Sequence, residues 1–553
     1  MSHQNSSVIE CLRRQAGEPG NDLVDAFVSQ TIDRRAFMRA ASVLGLTSVA
    51  GALLGVGTAA HASEARAGKV GGTLRIAHMV PAGVVDPMTV IDGPGTALIS
   101  QTGEYLIFSD AASQVLKPSL ATAWQANDKG DVWTFKLRNN VKFHDGRAMT
   151  AKDVVATFDR LTDKSKVSAA LSIFRNVLSK GGVKAIDDFT VQFHLDAPNG
   201  NFPSYVSSDT ANAVILPYDY AGSYEKSFIG TGPFKLEKYQ TKVGASFVRN
   251  PDYWGAPARP DRVEFSFYAD QPALMLALQG GRADVMTNFS AHAGLGVLNN
   301  PAYKVLSVRS SSHRQIHMKT DAGPFKDKRV RQALAMTLDR ELIVKGLLRG
   351  WAVIGNDSPF AAVFPSTDTF VPQRKKDIEG AKKLLAAAGV PNGFKATLTT
   401  GRFKEIPDLA VIIQNGAKEI GIDIDLKLES QELYYGAGKP GRSDWLDANF
   451  GITDYGHRGV PNVLINAPFV TGGTWNSARF ANDAYDKLVA QYTAALDLTT
   501  QRRVAGEMQR LLLDETPVII PYFLDSLMVS KANISGVKFS PIGQVNFSDV
   551  SIG

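Results

Sequence analysis

His313 and His317 stand four residues apart, a spacing that on a helix would bring both rings to one face and let them grip zinc. Their neighbours argue against it. Gln315, Ile316, Met318 and Lys319 read as an extended strand, and no glutamate follows His313 to serve as a base. Other chemistries lack their signatures as well. The sequence holds no Gly-x-Ser-x-Gly elbow, no His-Glu-x-x-His and no Gly-x-x-x-x-Gly-Lys-Ser/Thr phosphate loop. Its single cysteine, Cys11, rules out a disulfide framework and a Cys-ligated zinc site. The net charge of +6 is spread over 553 residues, and the longest basic run is Arg374-Lys375-Lys376. That is too dilute for a nucleic-acid partner. No catalytic residue, metal or cofactor is expected.

The elements that surround these residues alternate between two periods. Asp131 to Arg138 alternates, which sets Trp133, Phe135 and Leu137 on one face of a half-buried strand. Thr150-Ala151-Lys152-Asp153 has capping-box chemistry and opens a helix with Val154, Val155, Phe158 and Leu161 along one side. Arg262 to Tyr268 alternates again. Helices are predicted from about Asp327, with Val330, Leu334 and Leu338 four apart, and from Asp377 to a stop at Gly389. A third ends at Gly421 and runs straight into the alternating strand 422–428. Helix, glycine, strand in repeated order predicts an α/β chain with mixed sheets flanked by helices. The length exceeds what one hydrophobic core organises, so two or more lobes are expected.

The amino terminus reads as an address. Arg34-Arg35, with Phe37 and Met38 behind them, precedes an uncharged stretch from Ala40 to Ala60 and the small-x-small pattern Ala60-His61-Ala62. This resembles a twin-arginine export signal. No cysteine follows to carry a lipid. Residues 1–62 are therefore expected to be an extension and cleaved leader, and the mature protein a free periplasmic one.

Several later segments resemble the extracytoplasmic solute-binding family that serves dipeptide, oligopeptide and nickel importers. Leu137 through Gly146, followed by Met149 to Val154, is similar to that family's signature, in which a strand turns at Asp-Gly and feeds a capped helix. Gly71-Gly72-Thr73-Leu74, Gly230 to Phe234, Arg249 to Trp254, Gly281 to Asp284 and Thr516-Pro517-Val518 match further elements in order. The resemblance implies a two-lobe periplasmic-binding-protein fold of the large class II-like form. Lobe I would span 70–315 with a subdomain at about 109–228, lobe II 316–521, and 522–553 would return to lobe I. Two crossings would join them, near Ser311–Thr320 and Pro517–Phe523. Ligand would bind in the cleft and hinge closure would bury it.

Relatives that bind peptides present an aspartate to the ligand's amino group from a loop in the second lobe. The matching stretch here is Phe450 to Asn462, which makes Asp454 the expected ammonium partner. Arg458 is placed to hold a ligand carboxylate in a two-bond fork, and Tyr455 or Trp475 to wall an apolar portion, with Asn476 beside them. Val460 departs from the pattern, which often has an acidic residue before the proline. Trp351 and Trp445 are expected in the core, and His144 in a structural turn. The implied function is a monomeric receptor that hands a peptide or similar solute to the permease and ATPase of an ABC importer. An exported hydrolase, or a receptor for a metal chelate or opine, is the alternative.

Overall fold

Two seven-stranded sheets carry the computed structural model, which describes residues 70–553 except 112–114, 291–293 and 299. The expected export leader lies outside the described residues. In the first sheet Thr73–Met79 is central and pairs in parallel with both Arg262–Tyr268 and Val285–Phe289. Gly244–Arg249 and Phe234–Gln240 extend one side, while Ser526–Lys531 and Tyr303–Val308 complete the other in antiparallel pairing. The second sheet runs in the order Ala352–Ile354, Tyr522–Leu524, His313–Met318, Phe450–Tyr455, Lys395–Gly401, Asp423–Glu429, and Val518–Ile519 also pairs with His313–Met318. Both sheets mix parallel and antiparallel neighbours, as the alternation of helix and strand predicts.

Local chemistry explains the elements. Val132–Leu137 buries Trp133, Phe135 and Leu137 in a four-stranded sheet that also contains Ala121–Ala126, Val183–Asp187 and Thr190–His194. The helix Ala151–Thr162 closes over it, and Phe135, Phe158, Phe193 and Phe202 meet edge to face or tilted with centroids 5.0–6.3 Å apart. Asp153 accepts the Thr150 N–H at 2.8 Å, which satisfies a donor the helix leaves bare. Asp377 likewise caps Ile378–Ala387 through the Gly380 N–H. Gly389 beyond that helix adopts φ +82°, as a chain turning out of a helix requires. His144 lies in its turn, with its N–H on the Gly230 carbonyl and Nε2 3.1 Å from the Gly232 carbonyl.

Separate apolar clusters cover the two sheets. Leu74, Ile76, Val263 and Phe265 belong to one, and Ile316, Leu398, Ile424 and Ile452 to another. The chain leaves the first sheet after Val308 and enters the second at His313, then comes back between Leu524 and Ser526. The segments expected as crossings, 311–320 and 517–523, thus contain paired strands of the second sheet, and the change of sheet falls on 309–312 and Asp525. The reason is local: His313 and Phe523 already carry ladder bonds. The two connections are tied side by side. The Leu524 N–H donates to the Ser312 carbonyl at 2.7 Å, and Arg309 pairs with Asp525 at 2.9 Å.

Candidate functional site

A cleft of about 1330 Å³ lies between residues of both sheets' surroundings. Ile91, Asp209 and Ser540 line it from the first side; Arg314, Lys404, Asp454, Arg458 and Trp475 line it from the second. This volume exceeds the 300–1,000 Å³ of ordinary small-molecule pockets.

Asp454 sits near the end of Phe450–Tyr455, directly opposite Arg314 in antiparallel register. Cross-strand partners put their side chains next to each other, so the pairing itself brings a cation to this carboxylate. Tyr435, on the short helix Gln431–Tyr435, donates its hydroxyl to Asp454 Oδ1, and Lys404 Nζ lies 3.3 Å from Oδ2. Arg314 is buried and ion-paired with Glu405 at 2.8 Å; Glu405 also accepts the Tyr522 hydroxyl at 3.1 Å. Burial alone would raise the Asp454 carboxyl, but Lys404, Arg314 and the Tyr435 hydroxyl outweigh it and hold it below the usual carboxylate range. The corner is charge-compensated: Asp454 and Glu405 against Lys404 and Arg314.

Tyr455 forms an apolar wall. Its ring stacks on His313 with centroids 5.2 Å apart and planes 9° from parallel, and it tilts against Trp475 at 6.1 Å. His313 Nδ1 is 2.8 Å from the Ser311 carbonyl, and His317 Nε2 is 3.1 Å from the Ala448 carbonyl. Burial pushes both imidazoles down to about 4, so they are neutral packing groups at pH 7. Among the described residues no group of three or more His, Cys, Asp or Glu could hold a metal ion.

Arg458 differs from Arg314. Its Nη1 donates to the adjacent His457 carbonyl at 2.8 Å, and among the described residues no Asp or Glu forms an ion pair with it. Burial lowers its pKa with no neighbouring acid to restore it. Its backbone is clamped to the connection between the sheets. The Arg458 N–H donates to the Ser311 hydroxyl at 2.9 Å, and the Ser311 N–H donates to His457 Nδ1 at 3.0 Å. Across the cleft, Asp209 lies so close to Gly459 that a Cβ there would fall 2.1 Å from the Asp209 Cγ. Burial raises the Asp209 carboxyl to about 6 against hydroxyl contacts from Ser109 and Ser207.

Four of the five residues singled out from sequence, Asp454, Tyr455, Arg458 and Trp475, thus share one cleft. Asn476 does not line it. Its side-chain amide donates to the Val470 and Phe480 carbonyls and accepts the Phe480 N–H, so all its bonding is spent within its own loop. Trp445 is buried with Tyr434 and Leu446 as expected, whereas Trp351 is only half-buried and lines the cleft. Sequence reasoning missed Lys404, Arg314, Tyr435 and Asp209. Register across strands and the approach of distant segments place them, and no local pattern announces either.

A model of the family described as bacterial extracellular solute-binding proteins, family 5 Middle, matches residues 115–463. The chain is 26% identical over 463 residues to the periplasmic murein peptide-binding protein MppA of Escherichia coli (strain K12), covering 78% of this chain and 84% of that protein. It is 25% identical over 506 residues to heme-binding protein A of Haemophilus influenzae, covering 84% of this chain and 90% of that one. Among solved structures, HbpA2 from Haemophilus parasuis has a similar fold, with TM-score 0.77 at 24% identity over 87% of this chain and 100% of that one. Receptors of this family bind without chemistry, which sets the hydrolase alternative aside. With its two mixed sheets and polar cleft, the chain belongs to the bacterial extracellular solute-binding proteins of family 5 and is the substrate-binding protein of an ABC importer.

Proposed function

We propose that this receptor works in the periplasm after twin-arginine export and carries a peptide or peptide-like solute to its permease. The observation that supports this reading most is Arg458, a half-buried guanidinium that pairs with no acid among the described residues, in the same cleft as Asp454. A ligand carboxylate would supply the missing partner in a two-bond fork, and a ligand amine would meet Asp454. Tyr455 and Trp475 would flank the apolar part between them. The similarity to a murein peptide-binding protein agrees with such a cargo.

Two lobes, one on each large sheet, would hinge at 309–312 and Asp525. Ligand contact to both sides favours the closed state because only that state receives both sets of bonds. The decisive experiment is mass spectrometry of small molecules released from protein purified out of its native periplasm, together with a calorimetric titration of the compound found. Peptides or peptide-like acids are expected, and Asp454→Ala should weaken their binding by about 1–3 kcal/mol. Release of a metal chelate or opine instead would replace the peptide assignment.

A further inference from the structure

The carboxylate that would meet a ligand's amine already has a cation on it. Lys404 Nζ lies 3.3 Å from Asp454 Oδ2, while Tyr435 occupies Oδ1. The two flanking cations are held very differently. Arg314 is 3% exposed and fixed to Glu405 at 2.8 Å, so it cannot leave without breaking a buried pair. Lys404 is 60% exposed, and its pair with Asp454 is of the weak, solvent-screened kind. Its backbone adopts φ +53°, a left-handed conformation that a lysine keeps only where its surroundings impose it. The turn therefore holds a long, solvent-exposed ammonium at Asp454, the carboxylate assigned above to a ligand's amine.

We propose that Lys404 is a specificity-determining residue that stands in for the ligand's ammonium: it neutralises Asp454 in the empty cleft, and an incoming amine takes the carboxylate by displacing it. The inference rests on the peptide reading given above. The exchange keeps the corner neutral in both states, because one ammonium replaces another. Asp454 stays ionised and ready when the cleft is empty, as its depressed pKa also indicates. Affinity for a free amine is reduced by the worth of the displaced pair, and a ligand without an amine escapes that reduction.

The test compares the wild-type protein with Lys404→Met, reading thermal stabilisation against concentration for a mixed tripeptide library and for the same library N-acetylated. The free-amine library should half-stabilise the variant at about two- to fivefold lower concentration than the wild type, the range of an exposed ion pair. The acetylated library should show no such gain. Lys404→Arg, which keeps the cation, should retain the wild-type preference. An equal gain for both libraries, or none where binding is clear, overturns the role of Lys404 alone. If neither library stabilises either protein, the peptide reading fails and this inference with it.

Discussion

Two corners of one cleft treat charge in opposite ways. Around Asp454, every ionised group has an opposite partner within reach: Lys404 at 3.3 Å, and Glu405 on Arg314 at 2.8 Å. Around Arg458 and Asp209 no opposite charge among the described residues forms an ion pair with either, and burial lowers the guanidinium and raises the carboxyl to about 6. Within the compensated corner the buried Arg314–Glu405 pair can hold the sheet together, while the exposed Lys404 leaves Asp454 open to exchange. An uncompensated corner destabilises the empty protein and is relieved only when something outside supplies the missing charge. Stability is thus expected to reside in Arg314 and Glu405, and affinity in Arg458 and Asp454, a short distance apart.

The sharpest way to break this contrast is Arg314→Met. It leaves Glu405 buried without its cation, and should lower the free energy of unfolding by about 3–5 kcal/mol in a denaturant titration. An unchanged midpoint would mean that the corner is not structural. Next in size is Arg458→Met. Binding of a carboxylate-bearing ligand should weaken about 100-fold, the scale of a charge-assisted bond, while thermal stability stays level or rises. Loss of stability together with affinity would place Arg458 in the scaffold instead.

The smallest effect concerns Asp209 and runs with pH. Its folded pKa is raised to about 6, above the unfolded value, so the folded state holds the proton more tightly. That contribution is fully present below the unfolded pKa near 3.9 and is lost as pH rises through about 6. Asp209→Asn should therefore gain about 1 kcal/mol on the wild type between pH of about 5 and 7.5. Parallel melting curves with no widening gap over that interval would show Asp209 to be solvated.

Legibility followed sequence distance. The strand Asp423–Glu429 and the cap at Asp377 were plain because the information is local: alternation records which face is buried, and an aspartate before a helix has one obvious use. Asp454, Tyr455, Arg458 and Trp475 could be picked out because they lie in or near one stretch that resembles a known family's. Asn476 was carried along by neighbourhood and proved to serve its own loop. Lys404 comes from a turn after a different strand, and Arg314 reaches Asp454 only through antiparallel register. Asp209 meets Gly459 from the other side of the cleft. Such approaches are set by tertiary packing, so no periodicity or spacing along the chain encodes them.

The position of Ser526–Lys531 has a consequence for biogenesis. This strand is not an edge; it fills the slot between Val285–Phe289 and Tyr303–Val308. As the chain emerges from the ribosome, the first sheet waits with two unpaired strand borders while the whole second sheet is being made. Such borders invite pairing with other molecules. A chain cut before Ser526 should accumulate in the insoluble fraction, even though every residue of the cleft's second side would have been synthesised.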